Sequence, residues 1–476
     1  MSKNNTEKTH NEPSNVEHHC GLTEKFWDKF VASVWEKETF VERKNFVTPP
    51  ISEQELFECV VDMGIKHCQV SDVGGENSDV RIYVGATEIK KNFAPIFPKL
   101  SDGDFAGYSK RVSKAVGGQS FSFVIDEIVM PESLKIWTHS FLKGMYRPLK
   151  SMSNGHMWSI FFGDYSTTPY GVHDHSSQIY SESAFYFPIA GKKEMATWRP
   201  SYVNENPKLK WAHDCSEHLH EATRLLAEPG GMMYWPSDRW HIGSSKGGDV
   251  SIVLAVRAFT DIYPMFLHSI VNLDALSAYK PSGIRAKLLQ FSESLLFLKH
   301  MALLKYSARA RQNQVRDLPF DPDDLQGSAR DIPEDLIKLG ARFNIGLYFG
   351  KNIEKVLSIF WLYHLTNLGV ESLNSPMSPI CVKPSLKITK CPSAVLLWRH
   401  VDSDTIILMA GRHAHEIPAA YLLMVQFVAA TQIGQEVLYN ELVDSVAQQN
   451  ISPHQLEKQL ERLLNFLGEA GVFTSL

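Results

Sequence analysis

Gly230-Gly-Met-Met-Tyr-Trp-Pro236-Ser-Asp-Arg-Trp-His241 is the stretch from which the fold is read. Met232 to Trp235 is a short apolar and aromatic run of the kind that fits a pleated, half-buried surface. Pro236 and Asp238 are turn formers. The chain then returns through Trp240 to His241. A strand, a turn set by proline and a returning strand would carry His241 into the interior of a β-structure.

The text around this segment has the same texture. Between about residues 120 and 260, FSFVIDEIVM, MWSIFFGDY, AFYFPIAG, KEMATWRP, GMMYWP and VSIVLAVRAF are short, rich in β-branched and aromatic residues, and separated by turn formers. Several short strands at such spacing predict a sandwich or barrel. Within this region Gly171-Val-His-Asp-His175 places two histidines at i and i+2. On an extended backbone these point the same way, so His173 and His175 face one side and Asp174 the other. With His241 from a distant strand they would form a facial set of three and leave metal positions open, which is what a non-haem iron oxygenase needs, although one carboxylate is more usual among the three. A β-bulge would turn Asp174 inward in place of His175, and both alternatives stand at this point.

These two segments resemble the cupin superfamily. Gly230, Pro236, Asp238 and His241 follow the spacing G-x5-P-x-G-x2-H, with Asp238 in place of the inner glycine. The first segment keeps H-x-H but lacks the following glutamate, Gln178 and Glu182 being the nearest substitutes. The likeness is greater to the Jumonji-C branch and its ribosomal-oxygenase type, through PIAGKKEMATW (188–198), EPGGMMYWPSDRWHIG (228–243) and the opening FWDKFVASVWEKETFVERKNF (26–46). The resemblance implies an α+β chain built on a double-stranded β-helix, with Fe(II), O2 and 2-oxoglutarate. In its G-x-K position it implies Lys193 as the partner of the co-substrate's distal carboxylate, with Lys192 facing outward. It departs from that pattern at His175, where the family has Asp or Glu. A neutral third ligand leaves iron more positive, and three-histidine cupins oxidise other substrates without 2-oxoglutarate.

Outside the barrel the patterns are helical. Phe26, Trp27, Phe30 and Val31 recur at three-to-four spacing, Ser52 caps a second helix, and another is expected at Phe105 to Val116. Long helical stretches follow at Ala286 to Arg311 and Pro333 to Leu368. VLLWRHVDSDTIILMAG (395–411) reads as a hairpin. Further helices are expected at Ala419 to Ala430 and Gln435 to Gln448, then from Pro453 behind Ser452, with Leu456, Leu460, Leu463, Leu464 and Leu467 on one side. The expected division is a disordered tail (1–21), an N-terminal part supporting the barrel (22–119), the barrel (120–260), a helical segment (261–370) and a winged-helix-like unit (380–476). The helical segment carries Leu288, Leu289, Leu295, Leu296, Leu298, Met301, Leu303 and Leu304, with a later run at Val356 to Leu365. This is more apolar surface than one barrel face covers, so a homodimer is expected, as the resemblance also implies.

Other readings are weaker. His213-Asp-Cys215-Ser-Glu-His218-Leu-His220 could suggest zinc, but it lies in an excursion between strands, and His213, Glu217, His220 and Arg224 also fit the polar side of a helix. The six cysteines show no C-x-x-C pair, which fits a reducing cytoplasm. With 48 basic and 53 acidic residues the net charge is −5, so neither nucleic acid nor an anionic membrane is an expected partner, and no apolar run reaches the ~18 residues of a membrane span. Glu457, Lys458, Glu461 and Arg462 mix charges on the last helix, which argues against DNA binding there. The expected function is hydroxylation of a peptide or protein side chain, a ribosomally made precursor peptide among the candidates, with a small molecule as the other candidate substrate. The alternatives are a three-histidine dioxygenase independent of 2-oxoglutarate, and a non-catalytic cupin-fold peptide-binding protein.

Overall fold

The computed structural model describes residues 20–69, 80–85, 87–89, 96–126, 131–153, 155–176, 180–259, 266, 270–271, 274–306, 318–319, 331–342, 344–367, 387–390, 395–410, 413–431, 436–438, 452–470 and 472–475. The expected tail lies outside this set up to residue 19. At its edge, Cys20 is buried.

The centre is a nearly closed antiparallel barrel. In chain order its strands are β1 (Phe40–Glu42), β2 (Val80–Val84), β3 (Thr87–Glu88) and β4 (Phe121–Asp126). After the short β5 (Ser151–Met152) come β6 (Gly155–Tyr165), β7 (Tyr180–Ala190), β8 (Lys193–Trp198), β9 (Thr223–Ala227), β10 (Met232–Trp235) and β11 (Trp240–Phe259). The spatial order is β1-β10-β7-β11-β6-β4-β2-β3, with β8 joining both β11 and β9. The 20-residue β11 closes the structure by changing partners. Trp240 to Ser245 pairs with β8, whereas Val250 to Phe259 lies between β6 and β7. The register shifts between Ser245 and Asp249 on one side and between Val250 and Ser251 on the other, and a bulge of this kind bends a strand and re-aims its side chains.

Two helices cover one outer face. Glu24–Ser33, capped by Thr23, and Glu132–Leu149 pack their aromatic residues onto β7 and β10. Trp27 meets Phe141 edge-on at 4.8 Å between centroids, and Phe30 meets Tyr234 at 5.0 Å. Gly230 and Gly231 let the N-terminal chain approach: a Cβ at Gly231 would lie 2.2 Å from the Arg43 carbonyl oxygen, while Gly230 accepts from the amides of Phe46 and Val47.

Beyond the barrel, the helix Ile353–Asn367 buries Val356, Leu357, Phe360, Trp361 and Leu365 within its own chain. It packs on the sheet formed by Leu396–His400, Thr405–Ala410 and His413–Pro418, whose strand alternation sends Leu397, Ile407 and Met409 into that core. The opposite face, with Leu396, Trp398, Ile406 and Leu408, meets Leu460, Leu463, Leu464 and Leu467 of the helix Pro453–Glu469. The helix Ile284–Tyr306 differs: Ile284, Leu288, Phe291, Leu295 and Leu298 are 46–78% exposed along it. The expected helix at Gln435 to Gln448 is corrected in its described part. Glu436–Leu438 is a strand paired with Lys387 to Thr389, so a sheet partner outweighs local helical preference; residues 439–448 lie outside the described set. Among the described residues no helix is long and apolar enough to cross a membrane.

Candidate metal centre

His241 is placed as the first residue pair of β11 leaves the turn: the Arg239 amide donates to the Pro236 carbonyl, and the chain reverses. The segment carrying His173 and His175 lies against this start of β11. His173 and His241 exchange backbone hydrogen bonds of 3.1 and 2.8 Å, and the His175 amide donates to the Ser237 carbonyl at 3.0 Å. The extended backbone turns both imidazoles the same way, toward His241. Ring centroids are 4.4 Å apart for His173 and His241, 4.8 Å for His175 and His241, and 5.2 Å for His173 and His175.

The three histidines offer ligand atoms that all lie within 4.8 Å of one another, and no other group of three potential ligands gathers among the described residues. His173 Nδ1 donates to the Gly171 carbonyl and His241 Nδ1 to the Arg239 carbonyl, each at 2.9 Å. Those bonds fix the tautomer and leave both Nε2 lone pairs free, the arrangement common around metal-bound histidine. Burial pushes all three imidazoles below the ordinary histidine range. His175 falls to about 3 through burial and its neighbour His173, with the backbone at Glu182 opposing the fall, and His241 falls well below its usual value for the same reasons, with both neighbouring histidines contributing. All three are therefore neutral at pH 7, the protonation state a metal requires. A divalent first-row cation fits this donor set. Asp174 lies outside the group and accepts from the Ser176 hydroxyl.

Lys193 lies on the same interior as the histidines. It pairs with Ser245, four residues along β11 from His241, and its stem passes over Gly243: a Cβ there would lie 3.3 Å from Lys193 Cε and 2.8 Å from Met195 Sδ. Lys193 is 1% exposed, whereas Lys192 points outward and pairs with Glu228. Lys193 Nζ donates to the Tyr165 hydroxyl and lies over the Tyr165 and Tyr186 rings at 4.6 and 5.6 Å. An apolar cluster of Ala184, Tyr186, Met195, Met233, Trp235 and Val253 touches both, through the Tyr186 ring at Lys193 and the Trp235 ring 5.0 Å from that of His241.

Three site residues escape sequence reasoning. Asp249 is 1% exposed with Oδ2 3.9 Å from Lys193 Nζ. Tyr165 is the lysine's hydroxyl partner. Trp211 stands 63% exposed beside His173, at a left-handed φ of 63° uncommon for a bulky residue, with its ring parallel to that of His173 at 6.4 Å. Its amide donates to the Val172 carbonyl. The excursion from 199 to 222 gives no zinc cluster. Its helical reading around His213 to Arg224 is also corrected: Ser216–His218 forms a single tight turn and Thr223 already begins β9, because pairing with β8 takes over. His218 Nδ1 is 2.9 Å from the Tyr202 hydroxyl.

A nearly closed antiparallel barrel with three convergent imidazoles fits the cupin class. Among solved structures, the chain is similar to the ribosomal oxygenase YcfD of Escherichia coli, with 13% identity, 97% of this chain and 99% of that chain covered, and a TM-score of 0.39. For the same protein in complex with cobalt and 2-oxoglutarate the figures are 13%, 96%, 99% and 0.38. The DMSP lyase DddQ of Ruegeria pomeroyi is matched over only 22% of this chain and 39% of that one, at 18% identity and a TM-score of 0.14. No family model matches the sequence, and no curated protein matches it.

Proposed function

We propose that the protein is a non-haem iron oxygenase of Jumonji-C type that binds Fe(II) through His173, His175 and His241 and uses 2-oxoglutarate as co-substrate to hydroxylate a peptide or protein side chain. The observation that carries this reading is the trio of convergent, neutral imidazoles, His241 buried and His173 and His175 half-buried, two of them with Nδ1 committed to backbone carbonyls. Iron held by these three residues would supply oxygen activation. The chain's own residues do the rest. The carbonyls of Gly171 and Arg239 hold two rings in ligating orientation. Met195, Tyr186, Met233 and Trp235 keep bulk water from the interior. Lys193 offers a buried ammonium to the distal carboxylate of the co-substrate. Trp211 presents an exposed indole face beside His173 to whatever enters.

A second reading is favoured by two observations. Lys193 already has a carboxylate, Asp249, within 3.9 Å, and no carboxylate joins the metal ligands. Both features would suit a three-histidine dioxygenase that needs no 2-oxoglutarate. Incubation of iron-loaded protein with 2-oxoglutarate and O2 separates the two readings: succinate release that depends on iron supports the first, and its absence with O2 still consumed supports the second.

The exposed row Ile284, Leu288, Phe291, Leu295 and Leu298 has alternating spacings of four and three, the a/d pattern of a helix–helix seam. A second copy of this helix is the proposed partner, making residues 261–370 a dimerisation segment. Residues 380–476 are proposed to be a winged-helix unit.

A further inference from the structure

Asp249 is not where a regular β11 would put it. The strand's register breaks on both flanks of this residue, and the turn before β8 leaves room for it: a Cβ at Gly191, whose φ is 76°, would lie 2.9 Å from Asp249 Cα and 2.8 Å from its Cβ. A bulge and a glycine thus aim a carboxylate at a lysine inside the barrel. The resulting pair is buried but loose. At 3.9 Å the charges attract without a hydrogen bond. Asp249 Oδ2 accepts from the Ser251 hydroxyl at 3.2 Å, and Oδ1 is buried without a partner among the described residues.

We propose that Asp249 is the built-in counter-ion of Lys193, and that a carboxylate ligand gains the lysine only by displacing it, with one proton taken up from solvent onto Asp249. The inference rests on the reading of Lys193 as a carboxylate anchor. Burying a second anion beside Asp249 while removing its cation leaves an unpaired buried charge, and a group in that position takes a proton instead. The groups facing Asp249 are Lys193 from β8, Tyr165 and the exposed Asp164 from β6, Tyr186 from β7 and Ser251 on its own strand. Only Lys193 among them is a cation. Without ligand the Asp249 carboxyl is pushed up to about 6, first by burial, with Lys193 opposing. Loss of Lys193 to a ligand moves it higher. At pH 7 to 8 the free protein therefore holds a carboxylate and the complex a carboxylic acid.

The consequence is a pH-dependent affinity with a defined sign. Above about pH 6 the dissociation constant of an anionic ligand rises toward tenfold per pH unit, and below it the affinity is flat, because the proton is already in place. The test is calorimetric titration of cobalt-loaded protein with 2-oxoglutarate, in two buffers of different ionisation enthalpy, at about pH 5.5 and about pH 7.5. We expect uptake of about one proton at the higher pH and little at the lower. In Asp249→Asn both the uptake and the pH slope should vanish, with binding at about pH 7.5 at least tenfold tighter. Binding by the wild type with no proton uptake at the higher pH, or an Asp249→Asn protein that keeps the slope, overturns the proposal and leaves the lysine anchor standing. If neither protein binds 2-oxoglutarate at either pH, the anchor reading falls and this inference falls with it.

Discussion

Replacing Lys193 by methionine keeps the length of the side chain and removes its charge, leaving Asp249 as a lone carboxylate at 1% exposure. At 3.9 Å and an effective dielectric of ~20 the lost attraction is about 4 kcal/mol. This agrees with the ~3–5 kcal/mol typical for removing one partner of a buried pair. Asp249 escapes part of the penalty by protonation, so the effect depends on pH. Its carboxyl lies at about 6 in the folded wild type against 3.8 for an unperturbed one. The native state therefore binds this proton more tightly than the unfolded chain does. The contribution of Asp249 to stability falls as pH rises from about 3.8 through 6 and is flat above. Without Lys193 the folded value moves up, and the decline continues into the alkaline range. Urea unfolding of Lys193→Met should thus show a loss of about 2–3 kcal/mol near pH 8, set by the cost of protonating at that pH a carboxyl that lies at about 6, and almost none near pH 5, where the wild-type lysine has already lost its counter-ion. The double variant with Asp249→Asn should recover most of the loss at pH 8. A loss equal at both pH values, or no recovery in the double variant, would refute the pairing.

Two further outcomes are expected. His364 is buried with Phe360 at 4.4 Å, both ring nitrogens lack a hydrogen-bond partner among the described residues, and burial pushes it from 6.5 to about 4. Its folded value is depressed, so the native state excludes the proton and stability is lost as pH falls from about 6.5 toward 4, by up to about 3 kcal/mol. His364→Leu should flatten the unfolding free energy between about pH 7 and 4.5 by that amount relative to wild type, and an unchanged profile would count against the assignment. For the assembly, light scattering should give twice 53.8 kDa for the wild type and 53.8 kDa for Phe291→Glu combined with Leu295→Glu; a monomeric wild type rejects the seam.

Much of the barrel was legible because its signals are local. Short β-branched and aromatic runs with turn formers between them become strands in nearly the positions read, and the helices of Phe105–Ala115 and Pro453–Glu469 follow their caps and apolar rows. The three histidines could be singled out because an i, i+2 pair and a proline-turn histidine are short-range patterns whose directions follow from strand geometry. Asp249 could not. Its inward aim comes from a register break in β11 and from the missing side chain of Gly191 on a neighbouring turn, and neither shows in the residues around Asp249. Trp211 depends likewise on the approach of Gly171, where a Cβ would lie 2.5 Å from the Trp211 carbonyl oxygen. The strand at Glu436–Leu438 has a partner some fifty residues earlier, so its local helical pattern misleads. The apolar run from Val356 to Leu365 shows the same limit: periodicity registers that a helix is apolar all round, while only the fold distinguishes burial in its own chain from the open row of Ile284–Tyr306.

The most direct test of the metal centre is stoichiometric. Metal-free protein is loaded with Fe(II) under anaerobic conditions, or with Co(II), desalted and assayed for metal content, alongside His241→Ala with its folding checked by circular dichroism. One metal ion per chain in the wild type and almost none in a folded His241→Ala protein is the predicted result. A wild type that retains no metal, or a variant that retains as much as the wild type, would contradict the assignment of His173, His175 and His241 as the site.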